Sequence, residues 1–319
     1  MSRIHEALKK AAEERSAQSA TRAVTDLVDL SIQEQLAGKP PVIGDPQLKS
    51  RTDEKPDAGL ARFEEFAKRC TQVVWKIDPT ANVYSAHGNN TVGAEKFRTL
   101  RSRLYQIASA QPLKRILVTS STPAEGKTFV TANLAQSFIR QENRRVLLID
   151  SDLRASRLHL HVGASDKPGL SDYLRGDADE YQVTQIEKDG NLCLIPGGRE
   201  VSNPSELLHS DRMRHLLDRM SLIFDWIILD SPPALAVHDA SILADMCDGV
   251  LFVVRAGSTD FELAAKASAE FRDKNLLGVV LNRVEKGDSY GGYYYKYGHQ
   301  HGDDSDKINN STAKDSTAV

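Results

Sequence analysis

Six short runs of nearly continuous apolar residues constrain the fold more than anything else in the chain: Arg115–Ser120, Val146–Asp150, Leu192–Ile195, Trp226–Asp230, Val250–Val254 and Leu277–Leu281. Stretches of helical character separate most of them. Strands that are apolar on both faces must be covered on both faces, and a helix between two strands returns the chain to a parallel neighbour. The expectation is an α/β domain, a parallel β-sheet flanked by helices, over residues 91–286. It opens with a helical stripe, Phe97, Leu100, Leu104 and Ile107, that runs toward Pro112.

The flanks read differently. Ile4, Ala7, Leu8, Ala11 and Ala12 fall at helical spacing among charges, which predicts a short amphipathic helix over 1–16, either docking on a partner or fraying as a free terminus. Residues 17–90 are polar and punctuated by Pro40, Pro41, Pro46 and Pro56, and read as a mostly disordered linker. Residues 287–319 read as a flexible tail whose first part is rich in Gly and Tyr. Over the 319 residues, 40% are hydrophobic and the formal charge is -3, which fits a globular chain and argues against a nucleic-acid partner. No run approaches the roughly 18 apolar residues of a membrane span, so a cytoplasmic location is expected. Cys70, Cys193 and Cys247 have no metal-ligand spacing and read as reduced, structural thiols.

Chemistry concentrates at the ends of three of the strands. Ile116–Ser120 leads through Ser121, Thr122, Pro123, Ala124, Glu125 and Gly126 to Lys127 and Thr128, where a helix opens. A helix N-terminus presents unpaired N–H groups and the positive end of a dipole, so a polyphosphate can sit there. Lys127 would lie against its β and γ phosphates and Thr128 would hold Mg2+. The strict phosphate-loop pattern asks for Gly where Ser121 stands, so context carries the assignment. That context is two further strands ending in acids: Asp150, followed by Asp152 and Arg154, and Asp230, followed by Ser231, Pro232 and Pro233. A lone aspartate after a strand usually caps a helix. Acids at two strand ends beside a phosphate loop supply instead what phosphoryl transfer needs, a held metal and a group to orient or deprotonate the attacking hydroxyl.

These residues resemble the bacterial tyrosine kinases of polysaccharide export, P-loop enzymes with a deviant, MinD-like phosphate loop. The likeness rests on the loop, on Leu147–Arg154 and Ile227–Pro233, and on Gly169–Leu174 and Asn203–Leu208 between them. The resemblance implies ATP and Mg2+ bound by the loop segment Pro123, Ala124, Glu125, Gly126, Lys127, Thr128 and Phe129. It implies Asp150 activating the incoming tyrosine, with Asp152 and Asp230 supporting the metal, and Asn282 contacting adenine. It further implies that Glu95, Arg98 and Arg101 join subunits into a ring-like homo-oligomer, with an octamer as one form. An inner-membrane chain-length protein as activator, peripheral attachment to the membrane through it, and a cognate phosphotyrosine phosphatase follow from the same likeness. Two departures stand out: Ala124 replaces a frequent Gly, and Ala155–Ser156 replaces a basic residue and proline after Arg154.

Tyr290, Tyr293, Tyr294, Tyr295 and Tyr297 crowd a segment with Gly291 and Gly292 and no core pattern. Such tyrosines suit transphosphorylation between subunits, each phosphate adding roughly -1.5 to -2 charges that favour release of the ring. A sticky Tyr/Gly stretch is the plainer reading, while Tyr173 reads as structural. The competing function is a MinD- or ParA-like positioning ATPase without kinase activity, whose signature lysine would occupy the position of Thr122. A third possibility is a nucleotide-binding scaffold that presents its tyrosines to another kinase.

Overall fold

In a computed structural model, the protein is described over residues 58–77, 79–84, 92–188 and 190–284. The proposed helix of residues 1–16 and the tail tyrosines lie outside them. The strands, in chain order, are β1 (Thr71–Val73), β2 (Arg115–Ser120), β3 (Val146–Asp150), β4 (Gln185–Glu187), β5 (Leu192–Ile195), β6 (Trp226–Asp230), β7 (Gly249–Arg255) and β8 (Leu276–Asn282). They form one sheet in the order β1-β4-β5-β3-β6-β2-β7-β8. Pairing is parallel except between β4 and β5, so β1 and β4 run against the other strands. The six strands expected from apolar runs are all present, β7 and β8 each extended by a residue at both ends. The parallel strands β3, β5 and β6 are buried along their whole length, as expected of a sheet covered on both faces.

The helices are α1 (Ala58–Arg69), α2 (Val92–Ala110), α3 (Lys127–Ile139), α4 (Leu158–Val162), α5 (Leu170–Arg175), α6 (Glu180–Val183), α7 (Pro204–Leu208), α8 (Asp211–Ser221), α9 (Asp239–Ala244) and α10 (Phe261–Ala269). Helix α3 is enclosed: every residue from Val130 to Phe138 is buried. Phe138 stacks on Trp226 of β6 at 4.3 Å between ring centroids, and Tyr105 of α2 meets Trp226 edge-on at 5.3 Å. A helix gripped on all sides cannot slide, so whatever its first turn presents stays in place.

Part of the stretch expected to be a linker is folded. Helix α1 buries Phe63 and Phe66 against Phe224 and Tyr181, with ring centroids 5.2 to 5.8 Å apart. Strand β1 then extends the sheet by pairing with β4 from Thr71 to Val73, so the folded unit begins before residue 91. Tyr173 is structural: it is buried under the Arg212 guanidinium, 4.9 Å from its ring centroid. The three cysteines are free. Burial pushes the Cys70 thiol up to about 12 and raises those of Cys193 and Cys247 as well, which keeps all three protonated at neutral pH. Among the described residues no helix is long and apolar enough to cross a membrane.

Candidate active site

The register of the sheet builds the site. Asp150 at the end of β3 pairs with Asp230 at the end of β6, and Asp230 pairs with Val118 of β2, just before the phosphate loop. Parallel strands in register thus deliver both acids and the loop to one carboxyl edge, where α/β sheets bind ligands. The loop takes left-handed backbone at Ala124 (φ 65°) and Gly126 (φ 97°) before α3 begins at Lys127. At Gly126 the left-handed φ favours glycine, and an added Cβ would lie 1.9 Å from Asn282 Nδ2, so the amide that bonds Glu125 would have to move aside. No side chain caps the N-terminus of α3, and its first N–H groups stand free for an anion.

The side chains interlock. Lys127 Nζ lies 3.2 Å from Asp152 Oδ2, and the Thr128 hydroxyl donates to Asp230 Oδ2 at 2.7 Å. Thr131, one turn further along α3, donates to Asp230 Oδ1 at 3.3 Å. Asp150 accepts from the Ser156 hydroxyl at 2.7 Å and the Leu158 N–H at 2.9 Å through Oδ2, and from the Asp152 N–H at 3.2 Å through Oδ1. Both strand-end acids are essentially inaccessible. Burial pushes the Asp230 carboxyl up to about 7, against the pull of the Lys127 ammonium. Burial also raises Asp150, and its bonds from Ser156 and Leu158 hold it partly down. Lys127 is raised overall, because the nearby Asp230, Asp152 and Asp150 outweigh the burial that would lower it.

Other expected residues fall differently. Pro123 and Ala124 are exposed on the loop. The Phe129 ring packs on Phe97, 6.1 Å away, so its side chain belongs to the core beneath the site. Asn282 donates its amide to the Glu125 carbonyl at 2.8 Å, which puts it against the phosphate loop. Glu95 and Arg98 of α2 form an ion pair with each other, and Arg101 donates to the Ser137 carbonyl of its own subunit.

Three participants escaped the sequence reading. Thr131 had a signal, since it follows Lys127 by four residues and so shares its helical face. Ser156 fills the place of the missing proline as a hydrogen-bond donor to Asp150. Asp239, fully buried, accepts from Arg154 Nε at 2.9 Å and Nη2 at 3.4 Å, and from Ser205. That network ties the second acidic motif to Asn203–Leu208, a contact visible only in three dimensions.

The profile of the CobQ/CobB/MinD/ParA nucleotide-binding domain matches residues 116–297. Tyrosine-protein kinase YwqD of Bacillus subtilis is 34% identical over 216 residues, which is 66% of this chain and 91% of that protein. The chain belongs to the bacterial tyrosine kinases. Another relative, tyrosine-protein kinase wzc of Salmonella typhimurium, is 36% identical over 221 residues, 67% of this chain but 30% of that longer protein. Among solved structures, the kinase domain of Escherichia coli tyrosine kinase ETK superposes with a TM-score of 0.59 at 32% identity, covering 65% of this chain and 82% of that one. In this tyrosine kinase the interlocked Lys127, Thr128, Asp150, Asp152 and Asp230 therefore sit within the matched nucleotide-binding domain.

Proposed function

We propose that the chain is an ATP- and Mg2+-dependent tyrosine autokinase that phosphorylates Tyr290, Tyr293, Tyr294, Tyr295 and Tyr297 of a neighbouring copy, and so regulates exopolysaccharide or capsule chain length and export. The observation that carries this reading is the pairing of Asp150 with Asp230 at the strand ends beside Lys127 and Thr128.

The residues fit the nucleotide and its metal. Among the described residues no cluster of three or more His, Cys, Asp or Glu forms a ready-made metal cage. Magnesium in phosphate-loop enzymes does not need one, being held by the loop hydroxyl and one or two carboxylates together with phosphate oxygens. Thr128 Oγ1 with Asp230 and Asp152 would be those protein oxygens. Bound there, the ion supplies neutralisation of the charge on the β and γ phosphates. The free N–H groups of α3 and the Lys127 ammonium would hold the triphosphate. Asp150, made more basic than an ordinary carboxylate by burial, would accept the phenol proton as the tyrosine oxygen bonds to the γ-phosphorus and the bond to ADP breaks.

Around this chemistry we place the remaining roles. Glu95, Arg98 and Arg101 would pair across subunits of a ring. A membrane chain-length protein would activate the kinase and hold it at the inner membrane, and a phosphotyrosine phosphatase would reset it. Incubation with Mg2+ and ATP, followed by intact-mass and peptide mass spectrometry, tests the core of the proposal. Addition of phosphate within 290–297, abolished by Lys127→Met, is the expected result. Substantial phosphotyrosine in Lys127→Met would refute the site, and ATP hydrolysis without phosphotyrosine would favour a positioning switch instead.

A further inference from the structure

Inside the phosphate loop, where a triphosphate would bring several negative charges, the chain carries a carboxylate. Glu125 is only 2% exposed, yet it is not a free anion facing that site. Its Oε2 accepts from the Thr122 N–H at 2.8 Å, and its Oε1 accepts from the Thr259 hydroxyl. Thr259 belongs to the turn between β7 and α10, and its hydroxyl oxygen in turn accepts from the Arg255 N–H at 3.1 Å. The Glu125 carbonyl receives the Asn282 amide at 2.8 Å, while the Asn282 carbonyl accepts from the Ala256 N–H at 2.9 Å. One loop residue thus fastens the phosphate loop, the β7–α10 turn and the end of β8 to one another.

We propose that Glu125 is a positioning residue: with Thr259 and Asn282 it latches the phosphate loop in its binding shape and keeps its own carboxylate engaged away from the phosphates. A buried carboxylate needs hydrogen-bond donors, and the two it has come from different segments, so neither segment can move without leaving it unsatisfied. The loop most needs such a brace before nucleotide arrives, since Ala124 is held at a left-handed φ of 65° that alanine does not favour. Preorganisation of this kind raises affinity by removing the ordering that binding would otherwise have to supply. The proposal rests on the nucleotide-binding reading of this loop, and its test separates the two.

Hydrogen exchange in the nucleotide-free protein reads the latch alone: the Thr122 amide should be protected, and at least tenfold less so in Glu125→Ala and in Thr259→Val. In Glu125→Gln the amide can still accept from Thr122 and donate to Thr259, and protection should largely return. Titration with MgADP then reads the consequence. Each of the first two variants should weaken binding about tenfold, the double variant no more than either alone, and Thr259→Val should raise the KM for ATP with kcat little changed. A Thr122 amide that exchanges equally in all four proteins would overturn the latch, as would additive effects of the two substitutions on MgADP affinity. Wild-type protein with a protected Thr122 but no affinity for MgADP would instead overturn the reading of the loop as a nucleotide site.

Discussion

At Asp230 the requirements of chemistry and stability pull apart. The carboxyl sits beside another buried acid, Asp150, and its ordinary value of 3.8 is pushed up to about 7. The folded protein therefore holds this proton more tightly than the unfolded chain does. Its contribution to stability is full below the unfolded value and is lost as pH rises through about 7. Asp230→Asn removes the charge, keeps one oxygen to accept from one of the two hydroxyls, and offers the other an NH2 that it can turn to accept from. In the absence of nucleotide and metal it should melt at a higher temperature than the wild type at pH 8, by an amount corresponding to about 1–3 kcal/mol. At pH 5 the difference should shrink, and calorimetry at the two values checks it. The same variant should lose Mg2+-dependent nucleotide binding. An equal melting difference at both values would show that the charge of Asp230 is offset in the fold. Ser156 belongs to the same scale: its hydroxyl sits where Gly197 leaves room, since a Cβ on Gly197 would lie 2.6 Å from it, and it settles which oxygen of Asp150 stays available.

Among the elements, α1 and β1 most change the picture drawn from patterning. Their residues were expected to be linker because Pro56 and scattered charges precede them and because a three-residue strand carries too little periodicity to detect. A signal was nevertheless there, in Phe63 and Phe66 three residues apart on one helical face. Phe66 is 4% exposed and meets two other rings, so Phe66→Ala should cost about 3 kcal/mol in denaturant unfolding. Since α1 packs on Phe224, before the start of β6 and at the opposite end of that strand from Asp230, nucleotide affinity should stay within about twofold, measured on folded protein. Weakened nucleotide binding with unchanged stability would mean that the helix acts on the site instead of the core. Helix α3 shows the opposite case. Its Gly-Lys-Thr opening and apolar body were legible at once, because phosphate binding and central burial both write themselves into consecutive residues.

At the scale of the whole molecule, the proposed ring makes its own demand on α2. Glu95 and Arg98 already pair within α2, and Arg101 already bonds the Ser137 carbonyl, so the proposed contact between subunits would have to exchange these partners or share them. Replacing all three with alanine should shift unphosphorylated protein toward monomer in light scattering, and Arg101→Ala alone should also lower the melting temperature. Unchanged oligomers in the triple variant would place the interface elsewhere. The chain by itself determined the α/β class, the strands of the central sheet, the phosphate loop and the acids after β3 and β6, because these depend on local spacing and on residues a few positions apart. Tertiary structure alone decided that Asp150 lies abreast of Asp230, that Asn282 and Thr259 grip the loop through Glu125, that Asp239 takes Arg154, and that α1 and β1 complete the fold. Those contacts join residues about 80 to 160 positions apart through strand register and burial, and no stretch of neighbouring residues encodes them.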